Sequence, residues 1–567
     1  MFKNNMKKRS LFLLFAVFLI SISIPAFAIN FAEETSDKGT YQTYKVDNRR
    51  TGGYSTNLGN QFVDNFFEKC SISSEGSPNS PTLVTKMDVN GINQIITFTS
   101  NSIKLYNGSC NLKNTLVTLA QQTGVPITFD LLRQNKSMVI VPETNGNISF
   151  YQKIGNSLTK WNSIYANGTD NEGISPICTE TTDRGGFMPR DEDVRESPTC
   201  LWVSNWNSVC QFYSNDDSNL SQITNWTTQC NTINNSILTR TRRIPSIFTN
   251  PTFSDNPLLA FWYDTHNSSA PHNVLGVNTG VGLAVWDILS ATPYSLFGSN
   301  GFVNGISTVN VLVSTACDTV YRNFLREGTT PLIIDFDDDG LMEIVEMEFF
   351  HTTNNCISFF PATSSLHVYK WDGTEMSGSP ITISSQVGGT SAQYQVPSTE
   401  PVHAYLEIGL DTQDVVCVEG TIISGAGANN IRKCIFYNFG SNSLTTKFSL
   451  ATTLPVSAVS PPNYAILHSA ELNFTSSTIP DDENDEIIGR YFAWSSRDGG
   501  NLFNFTGFNN KKFQTPADLN GDGVLDLIFN ENVSSQILWG SGTAGVINFA
   551  PTILTITPST SPSASNK

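Results

Sequence analysis

The sequence predicts an all-β protein, a β-propeller of four-stranded antiparallel blades, and three observations predict it. Short runs rich in β-branched and aromatic residues recur along the chain between polar turns, a rhythm that fits blades better than a sandwich. Two acidic loops, residues 335–343 and 518–526, follow one spacing, and each lies between two strand-like runs. No helical period flanks either loop. The composition agrees, since 39% hydrophobic residues with 36 Phe, 16 Tyr and 9 Trp suit a packed, strand-rich protein.

The two loops read Asp-Phe-Asp-Asp-Asp-Gly-Leu-Met-Glu and Asp-Leu-Asn-Gly-Asp-Gly-Val-Leu-Asp. Oxygen-bearing side chains stand at positions 1, 3, 5 and 9 of each. In so tight a loop alternate side chains point inward, and glycine at position 6 permits the turn that lets the carbonyl of position 7 join them. Four side-chain oxygens and a carbonyl suit a hard cation. The flanks, residues 331–334 with 344–345 and 513–517 with 527–529, read as strands, which argues against an EF-hand. The first loop does place Glu346 where an EF-hand has its bidentate glutamate, but the second has Phe529 there. A solvated acidic turn without metal draws on the same residue types.

The strand, acidic loop, strand order resembles the FG-GAP family, also called integrin-α-type repeats and similar to VCBS repeats, in which the loop joins two strands of one propeller blade. The resemblance is specific over about 25 residues. It implies Ca2+ held by Asp335, Asp337, Asp339, Leu341 and Glu343, and by Asp518, Asn520, Asp522, Val524 and Asp526.

The loops start 183 residues apart, at Asp335 and Asp518, which accommodates three steps of 61. Degenerate units are therefore expected between them, and residues 402–417 and 463–488 supply two that keep strand, acidic turn, strand but lose the ligand spacing. No calcium is expected there, except weak binding at 481–486. Upstream, residues 83–98 read as the same unit with a shortened loop, and 102–106 as that blade's third strand. Residues 127–151 and 257–287 supply two more. Units near 85, 127, 260, 331, 402, 463 and 514 make seven blades, with six or eight also compatible. The stretch 171–250, with Cys178, Cys200, Cys210 and Cys230, reads as a disulfide-stapled insertion or an eroded blade. Residues 44–55 resemble the lead-in of exported propellers and are expected to complete the last blade, which would remove an exposed sheet edge. Residues 551–567 form a Ser/Thr/Pro-rich tail or linker.

Residues 1–28 read as a secretory signal peptide, basic and then apolar from Leu11 to Ile24, ending in Ala26-Phe27-Ala28. The remaining 29–550 form the propeller, and no later segment reaches membrane-spanning length. Ten cysteines in an exported chain imply disulfides, and the absence of any CxxC pair argues against zinc. One pairing is legible: Cys417 and Cys434 flank a Gly-rich turn at facing positions of a hairpin. Asn-x-Ser/Thr sites such as Asn107, Asn147 and Asn473 fit a glycosylated surface protein. A net charge of −17 disfavours nucleic acid.

No nucleophile elbow, HExxH helix or P-loop is present, and the grouping of Asp264, His266 and His272 matches no defensible spacing. The expectation is a secreted or cell-surface protein that is not an enzyme and recognises an extracellular protein or glycan ligand, with Trp202, Trp206 and Trp226 as a candidate contact surface. The alternative is an extracellular propeller-fold polysaccharide lyase or hydrolase.

Overall fold

The computed structural model describes most of residues 61–544, interrupted chiefly at 74–81, 166–176, 182–196, 226–237, 267–280, 306–325, 388–398, 454–466 and 475–483. The signal peptide and the tail lie outside the described residues, as do residues 44–55.

The protein is a seven-bladed β-propeller whose blades are antiparallel and built on four strands. From first strand to fourth, blade 1 holds Leu83–Thr85, Gln94–Thr99, Ser102–Asn107 and Leu112–Val117, and blade 2 holds Ile127–Phe129, Met138–Pro142, Asn147–Ile154 and Ser157–Tyr165. Blade 3 is built on Ser246–Asn250, Ser254–His266, Val281–Asp287 and Phe302–Gly305. Blade 4 has Leu332–Ile334, Glu343–Asn354, Ser358–Tyr369 and Ile381–Val387; blade 5 has Val402–Ile408, Asp411–Ser424, Gly427–Asn438 and Ser443–Thr453. Blade 6 follows with His468–Ala470, Glu486–Ile488, Phe492–Ser495 and Asn501–Asn504. Blade 7 takes Phe513–Ala517, Asp526–Asn530 and Ser534–Ala544 from late in the chain and Gln61–Ser73 from early in it. First strands of successive blades touch, as Leu332–Ile334 does with Ser246–Asn250 on one side and Val402–Ile408 on the other.

Side-chain alternation explains why these strands read as unbroken apolar runs. Along blade 4, Ile333 and Ile344 pack toward blade 3 with Phe248, Leu258 and Val285, whereas Leu332, Ile334 and Val345 pack toward blade 5 with Val416, Val418 and Ile435. Blade 5 repeats the pattern, since Val415 and Cys417 face blade 6 while Val416 and Val418 face blade 4. A strand buried on both faces has no polar face to show. Each blade is thereby glued to two neighbours by apolar burial worth about 25 cal/mol per Å².

The Cys417–Cys434 disulfide forms as expected, across facing residues of the hairpin in blade 5 with Cα atoms 4.2 Å apart. A second disulfide, Cys70–Cys110, ties the closing strand of blade 7 to blade 1. Ring closure is made by Gln61–Ser73, antiparallel to Ser534–Ala544 and extended by a short parallel pairing with Leu472–Phe474. Within 171–250, the strands Ile177–Thr181, Ser197–Val203, Val209–Asp216 and Asn219–Asn225 form a four-stranded antiparallel sheet in which Cys178 pairs in register with Cys200. Among the described residues no helix is long and apolar enough to cross a membrane.

Candidate metal centre

The first acidic loop starts where strand Leu332–Ile334 ends, and register pairs Ile334 with Glu343 across it. Buried Phe336 and Leu341 pin the loop's apolar side to the blade. Its polar side folds on itself: Asp339 N and Gly340 N donate to the two oxygens of Asp335 at 3.1 and 2.9 Å, and Leu341 N donates to Asp339 Oδ1 at 2.8 Å. This winding needs left-handed backbone at Asp338 (φ 52°) and Gly340 (φ 83°). Asparagine, aspartate and glycine tolerate that region best.

The winding brings three carboxylates together. Asp335, Asp337 and Glu343 each place an oxygen within 4.8 Å of the others. Glu343 is fully buried; its Oε2 accepts from Phe336 N at 2.7 Å, while Oε1 has no hydrogen-bond partner. Asp337, whose side chain is 9% exposed, likewise leaves Oδ1 without one. Burial first, and then the neighbouring carboxylates, push Glu343 up to about 9 and Asp335 up to about 6, against the partial relief given by backbone N–H donors. Two buried, partnerless carboxylate oxygens beside a third carboxylate leave a gap in hydrogen bonding that a hard, oxygen-seeking cation fits. Asp339 lies at the exposed rim of this group.

The second loop has the same winding and a different balance. Asp518 accepts from Gly521 N and Gly523 N at 2.7 and 3.0 Å, Asn520 from Asp522 N at 2.9 Å, and Asp522 from Val524 N at 2.8 Å. Asp526, at position 9, spends both oxygens on backbone: Oδ2 accepts from Leu519 N at 2.8 Å and Oδ1 from Gly540 N at 2.9 Å. Burial, opposed by these two bonds, pushes it up to about 8. Among the described residues only the first loop converges three carboxylates. The second loop is instead seated on blade 1, where Asn93 Nδ2 donates to Asp518 O at 2.5 Å and a Cβ on Gly108 would lie 2.1 Å from Leu519 O.

Blade 6 carries a third copy of this corner, in the unit at 463–488 that keeps strand, acidic turn and strand without the ligand spacing. Ala470 pairs with Glu486 as Ile334 pairs with Glu343, and Leu472 N donates to Glu486 Oε2 at 2.6 Å as Phe336 N does to Glu343. Glu471 therefore occupies the place of Asp335. In blade 5 the hairpin closes at Ile408 and Asp411, and Asp414 pairs with His403 Nε2 at 2.5 Å instead of entering a loop. The side chains of Asp264, His266, His272, Trp202, Trp206 and Trp226 lie outside the described residues.

No family model matches the chain, and no curated protein matches it. Solved structures do resemble it. Quinohemoprotein alcohol dehydrogenase from Comamonas testosteroni is similar with a TM-score of 0.43 at 8% identity, over 91% of this chain and 82% of that one. An α-L-arabinofuranosidase, Arb93A from Fusarium graminearum, gives 0.30 at 11% identity over 73% and 91%. The plexin A4 extracellular region gives 0.33 at 8% identity over 83% and 47%. The expectation that the chain is not an enzyme is corrected by this comparison: two of these three similar structures are enzymes, so the missing sequence motifs give no ground for excluding catalysis. At such identities and TM-scores the likeness equally assigns no activity.

Proposed function

We propose that the chain is an exported, calcium-binding propeller of the FG-GAP kind that recognises an extracellular protein or glycan outside the cell or at its surface. The observation that carries the reading is the pocket of Asp335, Asp337 and Glu343, with its partnerless Glu343 Oε1 and Asp337 Oδ1. Calcium there is held by Asp335, Asp337 and Glu343, with Asp339 and the Leu341 carbonyl completing the shell; at the second loop Asp518, Asn520, Asp522, Asp526 and the Val524 carbonyl offer the corresponding oxygens. The ion gathers carboxylates that otherwise repel and stiffens the corner between two strands, which fixes the loops at the blade's other end for recognition. Disulfides in blades 5 and 7 support an oxidising compartment.

Melting in calcium and in chelator tests the calcium step. At ion concentrations about 100-fold above Kd, binding adds about 2.7 kcal/mol, and affinities of about 10⁻⁴ to 10⁻³ M are usual for extracellular modules. A melting temperature that rises with calcium in the parent, and not in E343Q, supports the reading. An identical melt with and without the ion overturns it.

A further inference from the structure

Lys370 follows strand Ser358–Tyr369 of blade 4 and opens a tight turn beside the first acidic loop, because Tyr369 pairs with Ile344, the residue after Glu343. The turn is held rigidly. Lys370 N donates to Thr374 O at 2.8 Å, Gly373 N returns to Lys370 O at 2.8 Å, and Thr374 donates from both N and Oγ1 to Asp372 Oδ1 at 2.8 and 2.6 Å. Gly298 N, from blade 3, donates to Asp372 O at 2.7 Å and braces it from the side. From this fixed base the ammonium reaches Asp337 Oδ2 at 3.5 Å. Burial pulls the lysine's pKa down, but Asp337 and then Glu343 outweigh it, and the balance is upward. Lys370 thus responds to two of the three converging carboxylates. Among the described residues no ion pair reaches Asp518, Asp522 or Asp526, so the second loop has no such companion.

We propose that Lys370 is a tethered counter-cation that competes with calcium for the first loop and so sets that loop's affinity. The inference rests on the calcium reading above. A divalent ion entering beside Asp337 meets a positive charge anchored a few ångströms away; it binds because it offers two charges and more oxygen contacts, but more weakly than in the same loop without the lysine. Exposure of the lysine side chain, 37%, lets it swing toward water as the ion enters.

The test isolates the first loop by placing D518N in the full chain and measuring calcium affinity by competition with a chromophoric chelator. K370M, with K370Q as a second neutral variant, is expected to bind calcium about tenfold more tightly than the D518N parent, and K370R, which keeps the charge, within about twofold of it. Equal affinity in K370M, K370Q and the parent overturns the inference while leaving the calcium site standing. Absence of calcium uptake in the parent and in both neutral variants removes the calcium reading itself, and the inference with it.

Discussion

Leu472 N donates to Glu486 Oε2 at 2.6 Å inside blade 6, closing a corner in which the partners are 14 residues apart in sequence. The same bond closes the corners of blades 4 and 7 across only 7 residues, from Phe336 to Glu343 and from Leu519 to Asp526. The carboxylate that opens the second strand therefore has a backbone task in all three blades, whether or not an ion is beside it.

That task predicts separable variants. E486A removes a charge-assisted bond to a buried N–H and is expected to cost about 1–3 kcal/mol in a denaturant melt. E486Q, which keeps an acceptor oxygen, is expected to cost less than E486A. Equal losses in the two would show that charge, and not the bond to Leu472, matters at this corner.

Stability in chelator should fall as pH rises. Glu343 and Asp526, raised to about 9 and about 8, bind protons more tightly in the folded chain than in the unfolded one, where carboxyls titrate near 4. Their contribution is therefore fully present below about pH 4 and is lost progressively toward pH 8–9. The melting temperature without calcium is expected to drop between pH 5 and pH 8, and saturating calcium to flatten that drop. A chelated protein that melts higher at pH 8 than at pH 5 contradicts the sign.

Arg432 joins blades 5 and 6. Its fully buried guanidinium pairs with Glu419 Oε1 at 3.2 Å, donates to Gly499 O at 2.8 Å and to Asn501 Oδ1 at 2.6 Å, and lies 5.2 and 5.3 Å from the ring centroids of Phe492 and Trp494. R432M leaves Glu419 without its counter-charge and is expected to cost about 3–5 kcal/mol. The double variant R432M/E419L should recover part of that loss, measured by urea unfolding.

Much of the ring was legible because its strands are buried on both faces. Residues 332–334, 404–406 and 415–418 give apolar runs bounded by polar turns, and those runs mark blades directly. Cys417 with Cys434 was legible for a local reason, a hairpin whose turn lies midway between them. The closing strand Gln61–Ser73 was not. Bulges between Val63 and Asn65 and between Glu68 and Cys70 break its period of two, and its partners lie at the far end of the chain. Cys70–Cys110 was hidden too, because its cysteines lie 40 residues apart on different blades and not on facing strands of one hairpin. At the metal centre the nine-residue spacing pointed to both loops, but it could not separate Asp526, satisfied by Leu519 and Gly540, from Glu343, which keeps a free oxygen. Blade 6 was legible as strand, acidic turn, strand over 463–488, but the longer stretch between Glu471 and Glu486 destroys the ligand spacing and so hid the bond from Leu472 N to Glu486 that preserves the corner.

The pairing of Gln61–Ser73 with Ser534–Ala544 also orders events in time. As the chain leaves the ribosome or the export channel, blades 1 to 6 can fold one after another. The strand at 61–73 must wait for segment 534–544, and until that segment emerges it has only the short parallel pairing of Gln61–Val63 with Leu472–Phe474. Such a long-range contact is slow to form. Assembly of the circle is thus a late, single step, and a translation product halted before residue 534 keeps an open seam between its first and last blades.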